Sequence, residues 1–401
     1  MGYNLIDSNV SFFGGKYMTE RLFDKDSHLL EFDARVLSCE IDGDRFWISL
    51  DASAFAPEGG GQPSDIGYLD DACVVDVRER DGVLYHLTDK ALLKERTVHG
   101  RVDYFRRLRH LQNHTGEHIV TGLFFREYGM NNVGFHLGHS DVTLDLDGRV
   151  DLPTMRRMER LANLVVAENR EVRILYPDNE TLARLAYRSK KEVEGRVRLV
   201  EIEGIDLCAC CVPHVKRTGE VGGIWLLSAE RYKGGTRIHM KCGLDAIEHA
   251  NVEHDRENQL SMLLSLPSER IFEGVKKLVD DLAVAKYRIV GMKREKIEQR
   301  VREVSATESH LCFFENDFDV NELRLMVQGV VDKTGGVCAA FSGDDARGYC
   351  FVLADKSGAF EQTTMRFRSE FSAKGGGKAP FLQGTVNACE TAIRSFFEKR
   401  N

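Results

Sequence analysis

Two histidines four residues apart, His114 and His118 in "NHTGEH", are matched far along the chain by Cys210 and His214, again four apart, in "DLCACCVPHV". On a helix that spacing puts both side chains of a pair on one face, one turn apart, where they can reach a single ion. Pro213 interrupts the second pair, so it belongs to a loop or turn rather than a helix interior. One His/His pair and one Cys/His pair make a four-donor nitrogen and sulfur set suited to Zn2+. If the pairs share an ion, the fold must bring two distant segments together, which constrains topology more than any local propensity does. Each pair alone also fits ordinary structural histidines and idle thiols. Among Cys208, Cys210 and Cys211, Cys210 is singled out because its spacing to His214 mirrors the first pair. A zinc-peptidase helix would carry Glu directly after its first His. Thr115 stands there, and Glu117 precedes the second His, so that chemistry is disfavoured.

The rest of the chain bounds the setting. A length of 401 residues predicts two or three domains, and a 42% hydrophobic composition with only 7 prolines is enough to build packed cores. No apolar run reaches membrane-spanning length. The opening "MGYNLIDSNVSFFGG" lacks the basic-then-apolar order of a signal peptide, and Ile6 stands where a myristoylation signal needs Ser or Thr. The scattered cysteines then read as reduced thiols of a cytoplasmic protein, with the 208–211 cluster as the metal candidate. A net charge of −8 argues against sequence-blind nucleic-acid binding but allows a local basic groove. Arg101, Arg106, Arg107 and Arg109 form one basic cluster, and Arg366, Arg368, Lys374 and Lys378 another; each also fits a solvated charged face.

Periodicity divides the chain. "ARVLSCEIDGDRFWISLD" reads as two alternating strands around an Asp-Gly turn, and "GYLDDACVVDVRERDGVLYHLT" repeats the pattern, which predicts a small barrel. Residues 96 to about 255 mix helix and strand. "RRLRHLQNHTGEHIVTGLFFREY" has helical apolar spacing, "SDVTLDLDG" alternates like a strand, and "LPTMRRMERLANLVVAENREV" is amphipathic. Ser268 then opens a long helix in which Ile271, Val275, Leu278, Leu282, Ala285, Ile289 and Met292 step alternately by four and three, an a/d seam whose phase breaks before Ile297. The seam fits a coiled-coil partner and an internal spacer equally. From about residue 310 the pattern is again α/β.

At these motifs the chain resembles a known family. "NHTGEH", "CCVPHV" and "RTGEVGG" are similar to the editing domain of alanyl-tRNA synthetase and its free-standing relatives, the AlaX proteins. "APEGGGQPSDIG" resembles the glycine-rich loop of their N-terminal barrel, and "NNVGFHLGHSDVTLDLD" the strand region after the metal helix. "KGGGKAPFLQGTVN" resembles the C-terminal domain shared with DHH-type phosphoesterases. The motifs follow in the same order over nearly the whole chain, and the long form of AlaX fits best. The resemblance implies an α+β multidomain protein: a small β-barrel with a Gly-rich loop over 1–95, a central α/β two-layer zinc-containing editing domain over 96–255, a long helical linker over 256–308, and a C-terminal α/β domain for tRNA binding or oligomerisation over 309–401. It implies a trans-editing hydrolase that removes serine, or glycine, from mischarged alanine tRNA. One Zn2+ per chain would be held by His114, His118, Cys210 and His214. The glycine loop carries over to Glu58, Gly59, Gly60, Gly61 and Gln62, near the acceptor end. The synthetase pattern has Gly-Gly-Thr where this chain has Cys211, Val212 and Pro213, and often Thr where Glu117 stands, which leaves the choice between serine and glycine open.

Ester hydrolysis needs a positioned water and help for an oxyanion. Four protein ligands fill a tetrahedral shell, so the zinc either gains a position for water or only orients substrate or structure. Glu117 and His136 are the candidates for activating water. Glu117 points about 100° around the helix from His118, which favours a solvated glutamate over a catalytic one; His136 either lines the pocket or is a satisfied buried histidine. Gln62 could bond the terminal ribose, and Arg107 and Arg109 could hold acceptor-stem phosphates. Lys374, Gly375, Gly376, Gly377 and Lys378 could grip tRNA at a distance, and residues 271–292 or the C-terminal domain could join two copies. The rival reading is a non-catalytic tRNA-binding protein with a structural zinc.

Overall fold

The computed structural model describes residues 12–13, 16–138, 142–189 and 197–398. The N-terminal stretch read above as lacking a sorting signal lies almost wholly outside them, as do Ser140 and Asp141 of the expected "SDVTLDLDG" strand. The chain divides into two compact units, Met1–Glu257 and Asn258–Asn401. Among the described residues no helix is long and apolar enough to cross a membrane.

In the first unit six strands form one sheet: β1 (Glu31–Asp42), β2 (Arg45–Leu50), β3 (Gly67–Leu69), β4 (Ala72–Arg80), β5 (Val83–Thr88) and β6 (Thr97–Val102). They pair in the order β6-β1-β2-β5-β4-β3, and β3 returns to β6, so the sheet closes into a barrel. The two Asp-Gly turns make its hairpins. Gly43 has φ 63°, and Asp81 and Gly82 have φ 52° and 79°, the left-handed geometry that two-residue hairpin turns require. Val36, Ile48, Leu50, Leu69, Val74, Val77 and Leu84 fill the interior. One polar pair joins them. The Ser53 hydroxyl donates to His86 Nε2 at 2.8 Å, and His86 Nδ1 donates to the Ile48 carbonyl at 3.1 Å. Burial pushes the imidazole down to about 4, with the Ile48 bond opposing only in part.

Asp103 then caps α1 (Tyr104–Tyr128) by accepting from the Arg106 amide, and Gly129 closes it in the left-handed conformation. From His110 to Phe124 this helix is buried on every side. On it pack α2 (Leu152–Ala167) and two antiparallel sheets. The larger contains β7 (Asn132–Leu137), β8 (Val142–Leu146), β12 (Ile224–Tyr232) and β13 (Gly235–Cys242), in the order β7-β8-β13-β12. The smaller joins β9 (Val172–Leu175), β10 (Leu199–Ile202) and β11 (Asp206–Ala209). Strand β13 runs into α3 (Gly243–Leu264).

A buried ion pair ties α1 to the barrel. Arg107 Nη2 lies 2.6 Å from Asp65 Oδ2, and both side chains are almost fully enclosed. The guanidinium also donates to the carbonyls of Ser27 and Ala54, and the Ala56 amide donates to Asp65. Burial would raise the Asp65 carboxyl, but Arg107 and His110 outweigh it and hold it at about 2.

In the second unit α4 (Ile271–Glu303) precedes a sheet of β14 (His310–Glu315), β15 (Val337–Asp344), β16 (Gly348–Asp355), β17 (Lys374–Gly376) and β18 (Phe381–Val386), in the order β14-β15-β16-β18-β17. Helices α5 (Val320–Thr334), α6 (Phe360–Phe371) and α7 (Glu390–Glu398) cover it. The phase break in α4 has a packing cause. Ile297, Val301 and Val304 join the core formed by α5 and the sheet, and Lys296 and Arg300 pair with buried Glu315. Val275, Leu278, Leu282, Ile289 and Met292 of the heptad seam are exposed.

Two predictions follow from the first unit. Asp65→Asn leaves the Arg107 charge enclosed without a counter-charge and is expected to cost about 3–5 kcal/mol in chemical denaturation, whereas Asp65→Asn with Arg107→Met is expected to lose less. His86 is neutral when folded and titrates near 6.5 when unfolded, so the unfolded chain binds the extra proton between those values. Stability is therefore expected to be full above pH 6.5 and to fall as pH drops toward 4, by an amount on the order of 3 kcal/mol. Denaturation at a series of pH values checks this, and Ser53→Ala with His86→Phe is expected to flatten that part of the curve.

Candidate metal centre

The two sequence pairs meet. Helix α1 presents His114 and His118, and the loop leaving β11 presents Cys210 and His214; one donor atom from each lies within 4.8 Å of all the others. Cys210 Sγ is 3.5 Å from His114 Nε2, and the three imidazole centroids are 4.8–5.5 Å apart. A tetrahedral ion with nitrogen and sulfur ligands separates its donors by roughly 3.3–3.8 Å. These four side chains could therefore hold a metal ion with little movement.

Each imidazole is oriented from behind. Gln62 Oε1 accepts from His114 Nδ1 at 3.1 Å, Asp206 Oδ2 from His118 Nδ1 at 2.8 Å, and the Val212 carbonyl from His214 Nδ1 at 2.9 Å. The Nε2 atoms thus keep their lone pairs and turn inward, the arrangement by which outer partners prepare metal-binding histidines. His214 Nε2 is buried and has no hydrogen-bond partner among the described residues, a costly state that a bound ion relieves. Charge points the same way. Burial would raise the Cys210 thiol, but its contacts with His114 and His118 hold it well below the usual range, favouring the thiolate that binds metals. Burial keeps His214 neutral, at about 4. Burial would also depress His118, but Glu117 and the Asp206 bond carry it well above an ordinary histidine, so protons compete with an ion there.

Of the three neighbouring thiols only Cys210 joins the tetrad. Cys208 is buried beside His118 and Asp206, where burial lifts its thiol to about 11, and Cys211 is exposed. Arg198 donates to the carbonyls of Cys210 and Val212 at 2.8 and 3.0 Å and pairs with Asp24, which fixes the loop that carries two ligands.

The glycine loop folds over His114. Gly60 and Gly61 have φ 58° and 83°; a Cβ on Gly60 would lie 3.3 Å from the His114 ring, and one on Gly61 would strike the Phe135 carbonyl at 2.2 Å. Gly59 and Gln62 bridge across the turn, and Glu58 is exposed. Gln62, expected to reach the ribose, is buried and spends its side-chain oxygen on His114.

Three further expectations change. Glu117 is no solvated glutamate. It is buried, with Oε2 3.8 Å from His118 Nε2, and it accepts from Asn132 Nδ2 and, at 3.4 Å, from Thr121 Oγ1. The helix is enclosed all round, so even a side chain 100° away from His118 meets protein. His136 is exposed on β7, while its neighbours Phe135 and Leu137 face inward, so it does not join the tetrad. Strand alternation turns Phe135 onto His114 instead, 4.8 Å between ring centroids. Arg107 and Arg109 are not placed to hold phosphates. Arg107 is enclosed by Asp65, and Arg109 bonds Asp245 at 2.7 Å and the Gly138 carbonyl at 2.9 Å.

In the second unit Lys374, Gly375, Gly376, Gly377 and Lys378 are all exposed. Gly376 and Gly377 line a cavity of ≈ 610 Å³ with Val320, Cys350, Gln383, Gly384 and Thr385. Sequence reasoning passed over Asp206, Arg188, Asn132 and Arg198. Only Asp206 carried a local signal, four residues before Cys210.

Comparison with known proteins adds a second line. Residues 197–239, which include Cys210 and His214, match the family described as the threonyl and alanyl tRNA synthetase second additional domain. The chain is 33% identical over 303 residues to the alanine–tRNA ligase of Pyrococcus furiosus, covering 72% of this chain and 33% of the ligase. The Pyrococcus abyssi ligase is 35% identical over 303 residues, with the same shares. That of Halobacterium salinarum is 32% identical over 361 residues, 84% of this chain and 39% of the ligase. The chain spans about a third of the length of these curated relatives.

Zn2+ titrated into metal-depleted protein is expected to saturate at one ion per chain. Chelator competition is expected to show Cys210→Ser abolishing tight binding. Gln62→Ala, which removes only the acceptor behind His114, is expected to weaken it roughly 10–100-fold.

Proposed function

We propose, from the likeness of this chain to alanine–tRNA ligases over 72–84% of its own length, that it is a trans-editing hydrolase that deacylates alanine tRNA mischarged with serine or glycine. The observation that carries the reading is the buried His114, His118, Cys210 and His214 tetrad, with the Glu117 carboxylate beside it and a side-chain-free glycine loop over it. A pocket that selects alanine by size rejects serine and glycine poorly, which is the situation that requires a second, hydrolytic site.

The tetrad suits Zn2+, which when bound supplies a Lewis acid that orients and polarises the ester. The chain's own groups do the rest. Gly59, Gly60 and Gly61 leave room for the backbone and ribose of the acceptor end. Glu117, fixed by Asn132 and Thr121, takes a proton from water as the water oxygen adds to the ester carbonyl carbon. The tetrahedral intermediate then collapses, the bond to the ribose oxygen breaks, and that oxygen leaves with the proton. The products are a free amino acid and an uncharged tRNA. Lys374–Lys378 give the second unit a contact of its own with the tRNA, and the exposed seam of residues 271–292 joins two copies. The reaction belongs in the cytoplasm, where tRNA is charged.

One observation favours a second reading. Four protein donors complete a tetrahedral shell, as in structural zinc sites, and a non-catalytic tRNA-binding protein would need nothing more. Deacylation separates the two. Purified protein is expected to release serine or glycine from charged alanine tRNA and to spare alanine. Glu117→Gln is expected to lower the rate by about 100-fold or more while keeping its zinc. A folded, zinc-loaded protein that hydrolyses none of the three esters would sink the editing reading and leave the binding one.

A further inference from the structure

Arg188 lies outside the motifs, between the short helix Asn179–Leu182 and β10. Its backbone is fixed first. The Arg188 amide donates to the Leu207 carbonyl at 2.8 Å, and its carbonyl accepts from the Ala209 amide at 2.9 Å, so it runs beside the strand that leads to Cys210. Its side chain then forks. Nε and Nη2 donate to the two oxygens of Asp206 at 2.7 and 2.8 Å, and Asp206 Oδ2 also accepts from His118 Nδ1 at 2.8 Å. The same Nη2 donates to Thr121 Oγ1 at 2.9 Å, and that hydroxyl donates to Glu117 at 3.4 Å. The guanidinium is only 14% exposed and Asp206 only 2%.

From this fork we infer that Arg188 is a positioning residue with two arms: one sets His118 toward the metal through Asp206, and the other sets the Glu117 carboxylate through Thr121. The inference rests on the editing reading for the role of Glu117, but not for the arm that ends on His118. A planar guanidinium is needed. It meets both carboxylate oxygens at once and still spares a donor for the hydroxyl, whereas a lysine ammonium is a single point that cannot span these acceptors. Without Arg188, Asp206 would be a buried carboxylate held by one imidazole alone and free to rotate off it. Thr121 would lose the donor that directs its own proton toward Glu117. The metal and the proton acceptor, carried by adjacent residues on α1, would then lose their common reference point.

The test uses the full chain and three variants, Arg188→Met, Arg188→Lys and Thr121→Val. Each is read by zinc affinity in chelator competition, by the visible spectrum of the Co2+ form, and by deacylation kinetics. Arg188→Met is expected to weaken zinc roughly 10-fold or more and to shift the Co2+ bands, with Arg188→Lys nearer to it than to the wild type. Thr121→Val, cutting one arm only, is expected to leave zinc affinity within about twofold while lowering kcat at unchanged KM. If Arg188→Met keeps zinc affinity within about twofold and the Co2+ spectrum unchanged while its thermal midpoint falls, Arg188 is merely structural and the inference is overturned. It is also overturned if Thr121→Val loosens zinc as much as Arg188→Met does. If the wild type hydrolyses no charged tRNA, the editing reading fails by itself, and the His118 arm stands or falls on the zinc and Co2+ measurements.

Discussion

The arrangement depends on three hydrogen bonds made at the back of three imidazoles. A histidine can offer a metal only one nitrogen, and which one is decided by what holds the other. Here the three acceptors come from three places: Gln62 from the glycine loop of the barrel, Asp206 from the small sheet, and the Val212 carbonyl from the loop that carries His214 itself. The metal centre therefore forms only when barrel, helix and small sheet are all in place. The buried Arg107–Asp65 pair is what sets the first of these against the second. Such a pair contributes little net stability compared with apolar packing, but it penalises any docking in which either charge is left alone. The same physics applies to the arginines around the start of the metal helix. Three of the four, Arg106, Arg107 and Arg109, spend donors on holding α1 to its surroundings.

What could be read from the sequence was what repeats with a short period. The Asp-Gly hairpins, the strands of the barrel and the two four-residue spacings all declare themselves locally, and they appear where periodicity put them. The tetrad was legible because its members come as pairs, each with its own spacing. The surroundings of the tetrad were not. Glu117 looked solvated because helical geometry alone places it away from His118, and no pattern in "NHTGEH" shows that α1 is enclosed on all sides. His136 looked inward-facing because Phe and Leu flank it, yet on a strand those neighbours take the inner face and leave the middle residue outside. Arg188 and Arg198 were invisible, since their acceptors are 18 and 12 residues away and nothing local marks them.

The long helix α4 shows the limit of periodicity from the other side. Its apolar residues keep one register through Met292 and another from Ile297, and sequence alone could not say whether that is noise. The structure gives the change a cause. The later register is the face that joins the core of the second unit, while the earlier one stays exposed. A single helix thus carries two apolar stripes with different surroundings, one spent on its own domain and one exposed.

Under the editing reading the tetrad and Glu117 divide the work. Three imidazoles and a thiolate would leave a tetrahedral ion little freedom to take a water as well, so under that reading proton handling falls to a neighbouring group. Glu117 is the carboxylate next to His118, 3.8 Å from its Nε2, and it accepts from Asn132 and Thr121. Both nonetheless trace back to the Arg188 fork, through Asp206 for His118 and through Thr121 for Glu117. The chemistry of the centre therefore cannot be judged from its ligands alone. A closed shell with an oriented carboxylate beside it is a different site from a closed shell in an apolar core, although both read identically as His-x-x-x-His and Cys-x-x-x-His.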